Sequence, residues 1–204
     1  MTDDEPAEGT VLEAAETYDG DRFTGTVTGD GGAVALLECE FDGADLSGLR
    51  LDRARFTHCR LLEVRATALR LVDASLLDTD LDGCRIGALD ASGAELRRVR
   101  WSGGKVDYAN LRSANLREVT FTGCEFGELD LLGARARRVR VVDCRIGRLT
   151  VTAAELDDVD LTGAELSAID GLGSLAGATV SSEQVRRLAV PFAEHLGLRI
   201  APDE

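Results

Sequence analysis

The chain has 204 residues and a formal net charge of −14, with aromatic side chains at only 4% and five cysteines. That length suits one domain of ordinary size. The shortage of rings excludes a wide aromatic core, and no apolar run approaches the ~18 residues of a membrane-spanning helix.

The acid excess is concentrated at the start. Residues 1–21 carry eight acids and no Lys or Arg, whereas the body, 22–170, has a net charge of only −5. The segment 1–21 therefore reads as an acidic, flexible tail. It is acidic where a secretion signal would be basic and then apolar, which predicts a cytoplasmic location. Phe23, Val27, Val34 and Leu36 then suggest a partial first turn of the fold, with a tight turn at 29–32.

From Leu36 to Leu166 every fifth residue is apolar, through 27 successive positions. Phe41, Leu46, Leu71, Trp101, Leu111, Phe121, Val151 and Leu161 belong to this series. Neither a helix, at 3.6, nor a strand, at 2, has this period. It requires a backbone that turns every five residues and points one large side chain inward each time. Two residues before each large position lies a small one, commonly Ala, Cys, Val or Leu; Thr79 and Gly104 are the exceptions. Residues between the slots, such as Asp45, Arg65, Lys105 and Asp130, are expected to face water. Glycines 43, 83, 93, 123 and 133 often close the unit, as a tight turn favours.

A twenty-residue period overlies the first. Ala54, Ala74, Ala94, Ala114, Ala134 and Ala154 form one series; Leu49, Leu69, Leu89, Ala109, Leu129 and Leu149 form another. Four pentapeptides thus make one coil, and each coil buries its faces against its neighbours, as in a solenoid. About seven coils are expected over 22–180.

The segments ADLSG at 44–48, ANLRS at 109–113 and ANLRE at 114–118, with the variants AELDD at 154–158 and AELSA at 164–168, resemble the pentapeptide-repeat family. The resemblance implies an all-β fold, a right-handed quadrilateral parallel β-helix. It also implies a function without catalysis. Quinolone-resistance members of that family mimic a DNA duplex on DNA gyrase, and the absence of inserted loops in 36–166 is closest to the loop-free, gyrase-binding type.

All five cysteines (39, 59, 84, 124 and 144) occupy the small inward slot, so they read as small buried hydrophobes. Cys124 and Cys144 are one coil apart and should stack, as should Trp101 and Phe121. No paired cysteine-histidine set, Ser-His-Asp set or phosphate-binding glycine loop is present, so neither cofactor, metal nor catalysis is expected. His58 falls in an outward, solvated slot.

One basic cluster stands out. Arg97, Arg98, Arg100, Arg117, Arg137, Arg138 and Arg140 recur at twenty-residue offsets and should form a stripe at one corner. Two readings apply: a solvated face among acids such as Glu95, Glu118, Asp157 and Asp158, or a contact for an acidic partner surface or phosphates. Direct nucleic-acid binding is not expected at this net charge.

The register ends after Leu166. Ser181 and Gln184 predict a helix N-terminus with a capping box, and Val180 and Val185 a hydrophobic staple. Val185, Leu188, Ala189, Phe192 and Leu196 share one apolar face at helical spacing. Pro191 should kink that helix or divide it in two. The segment 181–204 is thus expected to be a short α-helical cap. By resemblance to the resistance proteins it also joins two chains as a homodimer. On sequence grounds the protein is a non-enzymatic binding or scaffold rod for a protein partner. The alternative is a DNA mimic that protects DNA gyrase from quinolone-like or self-made toxins.

Overall fold

The computed structural model describes residues 9–201. The chain winds as a four-sided, right-handed parallel β-helix of about eight turns, closed at the C-terminal end by two short helices. Right-handed winding is the sense that twisted strands impose on parallel crossovers.

The twenty-residue register is explicit in the strand pairing. Leu76 lies opposite Leu96 and Leu96 opposite Leu116. On the next side Leu81 lies opposite Trp101 and Trp101 opposite Phe121. On the other sheet Ile86 faces Val106 and Val106 faces Phe126. Every strand pair is parallel, so each backbone bonds to the coil before and the coil after it. Adjacent coils are therefore about 4.8 Å apart.

Two slots in five point inward and are almost entirely dry. Leu36, Phe41, Ala54, Ala74, Ala94 and Leu116 have no accessible surface. The alanine series is buried along the rod, and Phe and Leu supply its largest fully buried side chains. Trp101 is buried against Phe121 and Phe126, with ring centroids 6.1 and 6.0 Å away. All five cysteines are buried. Thr79, one of the two exceptions in the small slot, is fully buried and donates its hydroxyl to the Leu77 carbonyl at 3.1 Å. The packing loosens near the C-terminal end, where Leu156 and Leu166 are only partly covered.

Corners are made by residues in the left-handed region. Gly43, Gly83, Gly103 and Gly123 form one such column. His58, Asp78, Arg98, Glu118, Arg138 and Asp158 form another, with φ between 50° and 58°. Side chains with a Cβ normally avoid this region.

The start of the chain differs from expectation. Strands Thr10–Leu12 and Thr17–Asp19 fall within the segment read as an acidic tail, and Leu12 is buried. They pair at shorter offsets than the rest of the rod: Thr10 faces Val27, and Thr17 faces Ala35. This coil has fewer residues than the later ones, so the frame of five does not extend into it, and the rod gains a turn over the expected seven. The part of the expected tail at 1–8 lies outside the described residues.

Asp130 also differs. It was expected to face water, yet only 1% of it is accessible. Its Oδ1 accepts from the Leu132 amide at 3.0 Å, and its Oδ2 accepts from Arg112 Nε at 2.7 Å. The slot points outward, but the turn folds over it and the Arg112 side chain covers it.

After the last full coil, a 3₁₀ turn at Leu172–Ser174 and a strand at Ala178–Thr179 lead into helix α1, Ser182–Arg187, and helix α2, Ala189–His195. The Ser181 hydroxyl accepts from the Gln184 amide, and the Gln184 side chain accepts from the Ser181 amide, completing the capping box. The helix divides at Leu188, which places Pro191 in the first turn of α2, where its missing N–H costs nothing. Among the described residues no helix is long and apolar enough to cross a membrane.

Candidate partner-binding surface

The outward slots carry the chemistry of this rod, because a residue there meets its counterparts one coil above and one coil below. In several columns those neighbours have opposite charge. Arg100 pairs with Asp80 at 2.6 Å, Arg135 with Glu155 at 3.0 Å, and Arg145 with Glu165 at 3.4 Å. Each pair spans one coil and ties it to the next.

The seven arginines expected to form a stripe do gather around the corner between the sides containing Glu95–Arg97 and Arg100–Ser102. Arg97, Arg117 and Arg137 lie in direct register, one above another, and Asp157 ends the series. Arg98, Glu118 and Arg138 occupy the adjoining left-handed corner. There Arg98 donates to Asp78 through Nε and Nη2, and Arg138 binds Glu118. These contacts hold the Asp78 and Glu118 carboxyls below the usual carboxylate range and raise Arg98. Arg137 reaches Asp157 at 3.1 Å, whereas Arg117 comes no closer than 4.0 Å to Glu118. Among the described residues, Arg97 and Arg140 have no carboxylate within 4 Å. The stripe is thus not uniformly basic: acids neutralise its margins, and the Arg97–Arg117–Arg137 ladder is left as its positive spine.

A second basic ladder is scattered in the linear sequence and forms only in the wound chain. Arg65, Arg85 and Lys105 lie in register in the six-stranded sheet, with Asp45 below them and Glu125 above. The signal is the same twenty-residue offset that relates the inward slots.

The apolar face expected on the C-terminal helix is divided. Leu188 is buried and Phe192 half-buried, whereas Val185, Ala189 and Leu196 are exposed, Leu196 to 70%. Val190, Leu198 and Ile200 extend the exposed part. What anchors the helix most specifically is polar. Gln184 Nε2 donates to the Leu161 and Ala164 carbonyls, both at 2.7 Å, and so satisfies acceptors at the open edge of the last coil.

The thiols are shielded. Burial pushes Cys59 and Cys84 up to about 11, and it raises Cys39 as well. Cys144 Sγ accepts the Cys124 amide at 3.3 Å, confirming that these two residues stack. The Cys124 thiol is raised by its bond to Cys144 and by burial, and Cys144 is correspondingly lowered. Among the described residues no group of three or more His, Cys, Asp or Glu side chains could hold a metal ion.

The family model for a pentapeptide repeat region matches residues 34–111, and that for pentapeptide repeats (8 copies) matches residues 107–141. No curated protein sequence matches the chain. Among solved structures, HetL, a pentapeptide repeat protein involved in heterocyst differentiation regulation from the cyanobacterium Nostoc sp. strain PCC 7120, is 18% identical. The match covers 88% of this chain and 93% of HetL, with a TM-score of 0.46. A trypsin-treated form of QnrB1, a plasmid-mediated fluoroquinolone resistance protein, is 17% identical, with 95% and 99% covered and a TM-score of 0.39. Full-length QnrB1 is 18% identical, with 93% and 100% covered and a TM-score of 0.28. With the repeat models spanning 34–141 and the five-residue frame seated on the coil, the chain belongs to the pentapeptide-repeat family.

Proposed function

We propose that this protein is a non-enzymatic binding rod, and that the Arg97–Arg117–Arg137 ladder is its contact for an acidic surface on a protein partner. The observation that carries this reading is the register itself. Like charges directly opposite one another on neighbouring strands destabilise a sheet, whereas Arg100 and Arg135 are seated opposite the acids Asp80 and Glu155. A carboxylate-bearing partner would relieve the ladder and gain charge-assisted bonds.

The test is charge reversal. Arg97→Glu, Arg117→Glu and Arg137→Glu together should abolish capture of a partner that the wild-type protein retains from its native extract. Capture should also weaken as salt rises. An unchanged captured set, compared by quantitative mass spectrometry, overturns the reading.

The same proposal includes a homodimer through the C-terminal segment, supported by the exposed Val185, Val190, Leu196, Leu198 and Ile200. Leu196→Glu with Ile200→Glu should halve the mass measured by light scattering; a monomeric wild type, or a mass that does not change, removes the dimer.

A second reading is a duplex mimic acting on DNA gyrase. The net charge of −14 and the unbroken rod favour it. The arginine ladders oppose it, because a mimic of phosphates should be acidic along its contact faces. Purified protein that changes neither gyrase supercoiling nor its inhibition by ciprofloxacin ends this reading.

A further inference from the structure

We propose that Arg65 and Arg85 form a binding site for a phosphomonoester, with one phosphoryl group bridging two guanidinium groups one coil apart. The site lies in the six-stranded sheet, away from the Arg97 ladder in the larger sheet, and is independent of it.

The first observation is register without neutralisation. Arg65 lies directly opposite Arg85, both side chains are exposed, and among the described residues neither has a carboxylate within 4 Å. Elsewhere the rod seats an acid opposite Arg98, Arg100, Arg135, Arg137 and Arg145. Lys105, the third rung, is already engaged by Asp107 and Glu125, each at 3.4 Å. The Arg65–Arg85 pair is therefore the free part of the ladder.

The second observation is a hollow beside the pair. It has a volume of about 320 Å³ and is walled by Glu63, Arg65, Gly83, Arg85 and Gly104. Gly104 occupies a slot that is filled by a side chain in nearly every other pentapeptide. At φ +80 its backbone leaves no room for one, since a Cβ would lie 2.1 Å from the Cys84 carbonyl oxygen. The hollow is thus walled at this point by bare backbone that no side chain can replace.

The third consideration is the shape of the anion. Two arginines on neighbouring strands, whose backbones are about 4.8 Å apart, present two guanidinium forks and so two pairs of donors. A carboxylate has one pair of oxygens and satisfies one fork. A phosphoryl group has three terminal oxygens, hence more than one oxygen–oxygen edge, and can satisfy both. The acids Glu63, Asp107 and Glu125 around the ladder repel an extended polyanion, so the fit is to a single phosphoryl group rather than to a nucleic-acid backbone.

The experiment has two arms. Inorganic phosphate is titrated with the full chain and followed by ³¹P NMR, and a phosphoserine peptide and its unphosphorylated twin are titrated by calorimetry. Saturable binding of inorganic phosphate or of the phosphopeptide, with none of the twin, is the expected result, and the tighter of the two identifies the source of the phosphoryl group. Arg85→Gln should weaken binding by about tenfold or more, as loss of a charge-assisted fork implies. Arg85→Lys keeps the charge, loses the fork, and should fall between. Arg135→Gln, in the other sheet and already paired with Glu155, should bind as the wild type does. Far-UV circular dichroism confirms that each variant keeps its fold. Absence of saturable binding in both arms, or equal affinity in Arg65→Gln, Arg85→Gln and the wild type, overturns the proposal.

Discussion

Asp130 belongs to a column of corner residues that fasten their own turns. Asp90 accepts from the Ser92 amide, Asn110 from the Arg112 amide, and Asp130 from the Leu132 amide. Asn110 also donates to Asp90 across one coil, at 2.9 Å. Asp130 alone in this group adds an ion pair in near-complete burial, with Arg112. Asp130→Asn keeps the turn but replaces an acceptor of the Arg112 guanidinium with a donor. It should cost about 1–3 kcal/mol, the range for a bond to a charged group. At this chain length that lowers Tm by several degrees; thermal denaturation followed by circular dichroism checks it. Position alone does not reveal this residue. Asp130 occupies the same outward slot as Asp45 and Lys105, and only the fold of the turn and the reach of Arg112 bury it.

At the scale of elements, the legible part of this fold was the part that repeats. Each of the 27 large positions reports the same constraint, so a single odd residue such as Thr79 does not obscure the frame. The first coil has no second copy of its shortened spacing, and Leu12 and Tyr18 therefore carry no visible period. The helical cap was legible from Ser181, Gln184 and Pro191, each acting through local backbone chemistry. What local rules miss is the long-range role of Gln184, whose side chain reaches back to the coil that ends at Ala164. Gln184→Ala should leave the Ala164 carbonyl without this donor, take one of two donors from the Leu161 carbonyl and remove the side-chain half of the capping box, at about 1–3 kcal/mol. Because coils interact only with their neighbours, hydrogen exchange should quicken around 159–180 and stay unchanged in the central coils. Uniform acceleration along the rod would contradict this local account.

For the whole molecule, ion pairs that span one coil act as lateral ties along a rod whose backbone bonds are all between neighbours. Asp78 and Glu118 are held low by Arg98 and Arg138. Asp45 and Asp160 are held low by their bonds to Ser47 and Thr162. A carboxyl whose folded pKa lies below its unfolded value contributes stability above the unfolded value, near 4. That contribution disappears as pH falls through the folded value. Stability should therefore be level from pH 6 to 8 and decline below about pH 4. Asp78→Asn should make that acid decline shallower; an identical acid profile would show that this tie does not contribute. The candidate surfaces were only partly legible at this scale. The Arg97 stripe is visible because RRVR and RARRVR are clusters in the linear chain, whereas Arg65, Arg85 and Lys105 are isolated in sequence and become neighbours only when wound.

The five shielded thiols have a consequence of their own. Cys39, Cys59, Cys84, Cys124 and Cys144 are distributed from the second turn to the seventh, and a reagent can attack each only when the strands beside it part. Alkylation under native conditions then becomes a clock for fraying. If opening begins at the two ends and travels inward, Cys84 should be the last to react, and the sequence of labelling would map the order in which the molecule unravels.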